Sequence, residues 1–219
     1  MIDPSQSAGF RTRVAHDDEF ALVLDARRQA YAEIVNRIGL SGAPLSDEFD
    51  EMPNSRSYLI FAPNGQIAGT VRASVHVAQF NWLTLPLSKY HTEEMAWIAN
   101  QRIPAVQSSM LGVLPEYRAL GVFPTLSLVR AILGAGLAFE IDHFVTLVEP
   151  RPSRRRFWGR VGWRPVDPPV PHPFAKDGVS LLIGSVAKSL EIARGLPEFR
   201  ALAEFASPIS ASGTFPEEV

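Results

Sequence analysis

Apolar and polar positions along this chain fall into a few readable patterns, and the first of them is helical. From Asp17 to Ile38 the residues Phe20, Leu24, Tyr31, Ile34 and Ile38 recur three or four apart, so they lie along one face of a helix. Asp17 or Asp18 offers a side-chain acceptor at its start and Gly39 a stop at its end. Arg27 falls on the same stripe, and a cation there needs a partner or a ligand, because burying it unpaired is costly. After an acidic loop, Ser46 to Asp50, the β-rich runs Tyr58 to Ala62 and Gln66 to Val75 flank Pro63-Asn64-Gly65. The Asn-Gly pair favours positive φ, and the whole predicts a hairpin.

A second group of elements lies further on. A strand ending at Val113 is stopped by Pro115, and Arg118 with Gly121 stands where the chain turns into the apolar run Val122 to Phe139. Phe144 to Val148 and Val179 to Ser185 read as strands, and Val186 to Phe205 as an amphipathic helix. Pro165 to Pro173 reads as a proline-rich loop with neither pattern. Between residues 76 and 106, Phe80, Trp82, Tyr90 and Trp97 have no regular spacing, as suits aromatics that cap a core or wall a pocket.

Composition narrows the class. With 219 residues, 46% of them hydrophobic, the chain can bury one sizeable core, and a single domain is expected. The formal charge of -2 argues against a protein that coats nucleic acid. Without cysteine there is no disulfide, thiol nucleophile or thiolate metal site, and the five histidines show no metal-ligand spacing. The opening Met-Ile-Asp-Pro lacks the basic and apolar segments of a secretory signal, which sets cytoplasmic as the expected location. Ala119 to Phe139 has the length of a membrane span, but Pro124 and Arg130 interrupt it, and a helix buried against a sheet explains it better.

The strand-to-helix junction carries the first candidate chemistry. A helix start presents N–H groups with no partner inside the helix and the positive end of its dipole, which together favour an anion. Val113-Leu-Pro-Glu-Tyr-Arg118-Ala119-Leu120-Gly121-Val122 resembles the acyl-donor loop of the GNAT superfamily of N-acetyltransferases. The resemblance implies that Arg118, Gly121 and the amides of Val113, Ala119, Leu120 and Val122 hold the phosphates of coenzyme A or of a carrier's phosphopantetheine arm. Phe123 stands where that superfamily has a third small residue.

Arg27 and Tyr31 four apart, Asp47 and Asp50 three apart, and a hairpin ending in Gly69-Thr-Val-Arg72 resemble the N-terminal half of two branches of that superfamily. These are the acyl-homoserine lactone synthases and the long-chain N-acyl amino acid synthases, and the likeness spans roughly residues 20 to 165. It implies that Arg27, Tyr31, Asp47, Asp50 and Arg72 organise the acceptor and the loop over it. Those families carry a Glu and an Arg on the central strand, where this chain has Gln107 and Met110. Aminolysis of a thioester needs an unprotonated amine and donors for the developing oxyanion. The carboxylates left for the proton are Glu93, Glu94 and Glu149; Glu149, at a strand end, is the candidate base, with Gln107 positioning water or the carbonyl. Trp158 stands in place of the superfamily's tyrosine, and an indole N–H donates a hydrogen bond without being an acid. Arginines 151, 154, 155, 156 and 160 would suit the acidic helix of an acyl carrier protein or a phosphate of coenzyme A.

The expected fold is therefore a mixed α/β domain of the N-acyltransferase type, with a twisted, mostly antiparallel sheet flanked by helices and the donor held where strands four and five splay. Its expected limits are an N-terminal arm over 1–16, the acyltransferase domain over 17–205 and a flexible tail over 206–219. The expected activity is acyl transfer from acyl carrier protein or acyl-coenzyme A to an amino acid or a derivative of one, with no permanently bound cofactor. Its rivals are acetyl-coenzyme A-dependent acetylation of a small amine and a non-catalytic module that binds acyl thioesters.

Overall fold

A computed structural model describes residues 9–37, 45–81, 83–120, 123–173, 175–196 and 213–218. Among them seven strands form one sheet: β1 (Arg11–Val14), β2 (Ser55–Phe61), β3 (Ile67–His76), β4 (Ala105–Val113), β5 (His143–Val148), β6 (Arg164–His172) and β7 (Ala175–Ser185). The spatial order is β1-β2-β3-β4-β5-β7-β6. Only β4 and β5 run parallel, because the chain between them crosses over through a helix, whereas the other neighbours pair antiparallel. The helices are α1 (Phe20–Arg37), α2 (Thr92–Asn100), α3 (Phe123–Ala138), α4 (Pro152–Arg160) and α5 (Val186–Gly195).

Side chains alternate across a sheet, and the alternation here fills two cores. Val106, Phe144 and Leu182 join the larger one, built with α1, α3 and α5, while Ala105, Val145 and Leu181 join a smaller one under Leu85, Leu87, Met95 and Ile98. The segment from 85 to 98 is thus a 3-10 turn followed by α2, laid over the sheet face opposite the larger core. Of the irregular aromatics between residues 76 and 106, Phe80 packs on Phe139 and Trp97 stands 59% exposed. Trp82 lies outside the described residues.

Several expectations shift by small amounts. On α1 the buried residues are Val23, Ala26, Arg27, Ala30 and Val35, one step around from Phe20, Leu24, Tyr31 and Ile34, which sit at the margin. The small side chains are selected by closeness: a Cβ on Gly112 of β4 would come within 2.7 Å of the Ala30 Cβ. Ile38 and Gly39, expected as the end of this helix, lie outside the described residues, as does the stretch 197–205 expected to extend α5. Residues 11–14, placed in an N-terminal arm by sequence, form strand β1. The described end of the expected tail is also held, since Tyr58 donates to the Pro216 carbonyl and Val14 N–H to that of Glu217.

The stretch read as a proline loop is instead β6, so that expectation is corrected. It lies at the sheet's edge, paired only with β7, and its register shifts between Val166 and Val170. Proline lacks the N–H that an interior ladder requires, but an edge strand needs donors on one side alone, and a bulge accommodates the rest.

Candidate active site

The site begins where two strands part. β4 and β5 pair from Ala105 with His143 to Ser108 with Thr146 and no further, although β4 runs on to Val113 and β5 to Val148. At the last pair the Ser108 hydroxyl donates to Thr146 Oγ1 at 2.8 Å, and the Thr146 hydroxyl donates to the Ser108 carbonyl at 2.9 Å, which stitches the fork at its base. Beyond it, β4 bulges against β3: Thr70 pairs with Gly112 and Arg72 with Ser109, so Met110 and Leu111 together oppose Val71. Met110 takes φ 51°, a left-handed conformation that disfavours a side chain and persists only where its neighbours hold it.

Two residues picked out by sequence hold it. Tyr31 on α1 donates its hydroxyl to the Leu111 carbonyl at 2.8 Å, and Arg72 on β3 donates Nε to Ser109 Oγ at 2.9 Å. Burial pushes the Tyr31 phenol up to about 12, against the opposing fields of Arg27, Arg154 and Arg72, so it stays a donor at neutral pH.

Behind Arg72 lies a four-membered charge network. Arg27, wholly buried, makes a two-point bridge to Asp50 with both distances 2.8 Å, and also donates to the Leu45 carbonyl and to Ser57 Oγ. Asp50 is shared with Arg72 at 3.0 Å, and Arg72 reaches Asp47 through both terminal nitrogens. Asp47 also caps the 3-10 turn Glu48–Asp50 by accepting from the Phe49 N–H, which is why two aspartates three apart in a loop end up on two arginines. Burial alone would push the Asp50 carboxyl up; the hydrogen bond and charge of Arg27, then the charge of Arg72, outweigh it and hold the group below its ordinary value.

A cavity of about 370 Å³ fills the fork. Of the sequence candidates, Tyr31, Asp47, Arg72, Gln107, Glu149 and Trp158 line it, while Arg27 and Asp50 stand behind its wall. Gln107 is committed on one side, since its Oε1 accepts from the Leu87 N–H at 3.0 Å and so pins the 85–89 turn over the cavity. Glu149 faces the cavity and pairs with Arg151 at 3.0 Å. Trp158 is buried in an aromatic pile: it stacks on Trp163 at 4.6 Å, and Trp163 stacks on Phe144 and donates to Ser189 Oγ at 2.7 Å. The indole is a wall held from behind.

The donor loop is only partly described. Pro115 to Leu120 forms a 3-10 turn between β4 and α3, with Arg118 and Ala119 exposed; Gly121 and Val122 lie outside the described residues. The Arg118 guanidinium is turned inward, where it donates to the carbonyls of Val113 at 3.1 Å and Ala30 at 2.7 Å and pairs with Glu33 at 3.1 Å. The resemblance implies that it holds a phosphate; in this structure it ties the loop to α1, and Val113, Arg118, Ala119 and Leu120 are absent from the cavity wall.

The wall also holds Tyr90, one of the irregular aromatics expected to cap a core or wall a pocket, packed on His172 of β6 at 4.4 Å. Lys89, bridged to Glu48 at 2.7 Å, and His172 line it too, and sequence does not single them out. Burial holds the His172 imidazole below its ordinary value. No spacing in the chain connects these residues, and their meeting is set by the strand order alone. Among the described residues no group of His, Asp and Glu is arranged to hold a metal, and no helix is long and apolar enough to cross a membrane.

Comparison with known proteins identifies the fold and the family. A solved N-acyl amino acid synthase FeeM from uncultured soil microbes superposes with a TM-score of 0.64 at 16% identity, over 83% of this chain and 93% of that one. A spermidine N-acetyltransferase from Vibrio cholerae, solved with CoA and spermine, superposes at 0.55 and 10% identity, over 84% of this chain and 99% of that one. At such identities these likenesses establish the fold. No curated protein matches the sequence significantly. The family model described as N-acyl amino acid synthase FeeM matches residues 20–183, and the chain therefore belongs to that family of acyltransferases.

Proposed function

We propose that the protein moves an acyl group from a thioester, carried on acyl carrier protein or on coenzyme A, to the primary amine of an amino acid. The observation that carries this reading is the fork between β4 and β5 with a cavity inside it. Past Ser108, β4 has no partner among the described residues on its β5 side, so backbone donors that a ladder would consume are available to a thioester lying along the strand. The bulge held by Tyr31 and Arg72 aims that stretch of backbone, and such fixed donors stabilise an oxyanion without reorganising at the moment of reaction.

In the reaction the neutral amine nitrogen attacks the thioester carbonyl carbon, and the tetrahedral intermediate collapses with cleavage of the C–S bond. The amine's proton passes to a base, for which Glu149 on the cavity wall is the candidate, and the sulfur leaves as thiolate, with Trp158 able to donate a hydrogen bond but not a proton. Ile34, Leu45, Leu87, Met110, Leu147 and Val148 give the cavity the apolar wall an acyl chain requires. Arg156 and Arg160 on α4 stand exposed, which supports an acidic carrier protein as donor over coenzyme A alone.

The test is a product search by mass spectrometry, with purified protein, a pool of amino acids, and donors from acetyl to palmitoyl on both coenzyme A and acyl carrier protein. A long-chain N-acyl amino acid is the expected product. Acetylated amines alone would overturn the long-chain reading in favour of a general acetyltransferase.

A further inference from the structure

We propose that Arg154 is the specificity residue for the acceptor: it clamps the amino acid's carboxylate and turns away polyamines. The inference rests on the acyltransferase reading above and deepens it. Its basis is the charge balance of the cavity wall. Eight side chains there can carry charge: Tyr31, Asp47, Arg72, Lys89, Tyr90, Glu149, Arg154 and His172. Arg72 is neutralised by Asp47 and Asp50, Lys89 by Glu48, and Glu149 by Arg151. The Tyr31 phenol is held neutral, and burial disfavours the charged form of His172.

Arg154 stands apart. It sits in the first turn of α4, and among the described residues it has neither a hydrogen bond nor an ion pair, although its neighbours Arg151 and Arg155 reach Glu149 and Ser180. Its side chain nonetheless lines the cavity, and its field reaches the Tyr31 hydroxyl across the fork. Among the described residues the cavity wall therefore presents one uncompensated positive charge, on an arginine that is also open to solvent. An amino acid that reacts through its neutral amine carries a net negative charge on its carboxylate, whose two oxygens match the planar fork of a guanidinium. A polyamine would bring further positive charge to the same spot, where a like-charge contact is unfavourable.

The experiment compares three acceptors with a fixed long-chain donor: the amino acid preferred in the product search, the amine left by its decarboxylation, and spermidine. For Arg154→Met the KM for the amino acid is expected to rise about 10- to 100-fold, as for loss of a charged hydrogen-bonded pair. The kcat/KM for the decarboxylated amine should stay within about threefold of the unsubstituted protein, which also shows that the variant is folded. Arg154→Lys should recover only part of the loss, because an ammonium cannot make the two-point contact, and spermidine should become a better acceptor in Arg154→Met.

Equal losses on the amino acid and its decarboxylated counterpart, or none on either, would overturn the assignment. A rise in donor KM alone would also overturn it and would move the guanidinium to a donor phosphate. If the unsubstituted protein acylates no amine at all, the acyltransferase reading itself fails, an outcome distinct from these.

Discussion

The buried charge network makes the sharpest prediction, because its members can be removed one at a time. Asp50→Ala leaves Arg27, which has no exposed surface, without the two charged hydrogen bonds of 2.8 Å that neutralise it, and leaves Arg72 with Asp47 alone. The Leu45 carbonyl and Ser57 hydroxyl still accept from Arg27 but carry no charge. Removing one partner of a buried ion pair costs about 3–5 kcal/mol, against a total stability of about 5–15 kcal/mol for a domain. For a chain of this length each kcal/mol is worth about 2–4 °C, so the melting temperature should fall by roughly 6–20 °C. Arg27→Met in the same background replaces the orphaned cation with apolar volume, and the double variant should recover more than half of the loss. The assay is thermal and urea unfolding at pH 7 of the two single variants and the double. An Asp50→Ala variant within about 1 kcal/mol of the parent, or a double variant no better than the single one, would refute the reasoning.

Asp50 also predicts a pH dependence. Its carboxyl is held below the ordinary value in the folded state, so its contribution is complete above the unfolded pKa of about 3.9 and is lost as pH falls through the lower folded value. Asp50→Ala should therefore flatten the loss of stability below about pH 4, measured as urea midpoints between pH 6 and pH 3. Gly112→Ala should cost about 1–3 kcal/mol, because its Cβ meets that of Ala30 at 2.7 Å, and Ala30→Gly added to it should restore part of the loss in urea unfolding. Tyr31→Phe removes the hydrogen bond to the Leu111 carbonyl at a cost of about 1 kcal/mol. In steady-state kinetics it should lower kcat more than it raises the donor KM, since it loosens the bulge without altering the apolar wall.

How much of this was legible beforehand depended on whether the signal was local. The hairpin at Asn64-Gly65, the helix through Arg27 and the strand ending at Val113 rest on short-range rules, and they formed where expected. The family resemblance carried by Arg27, Tyr31, Asp47, Asp50 and Arg72 implies that these residues act together. It did not show that two of them, Arg27 and Asp50, would stand behind the wall. The phosphate role that the donor-loop resemblance implies for Arg118 says nothing of how closely α1 approaches, and here Glu33 and the Ala30 carbonyl accept from its guanidinium. β6 was missed because proline is a strong local breaker, whereas the edge position that tolerates it is a property of the whole sheet. Tyr90 stands out only as an aromatic of irregular spacing, and Lys89 and His172 carry no pattern to find, since chain crossovers bring them together.

The two outermost strands bear on how this molecule meets copies of itself. Sheets grow by capturing a strand wherever an edge offers a free row of N–H and C=O groups. Along β6, Pro165, Pro168, Pro169 and Pro171 leave only Val166, Asp167, Val170 and the two end residues with an N–H at all, so an incoming strand would find few donors. At the far end β1 has only four residues, and its Val14 N–H is already taken by the Glu217 carbonyl beside a bridge from Arg13 to Glu218. Each edge thus has its own barrier to strand capture, one built from residues that cannot donate and the other from a piece of the same chain. Self-association through a continuous β-sheet is disfavoured at both ends, and shortening the chain before residue 213 would expose β1 and make aggregation through that edge the first failure to appear.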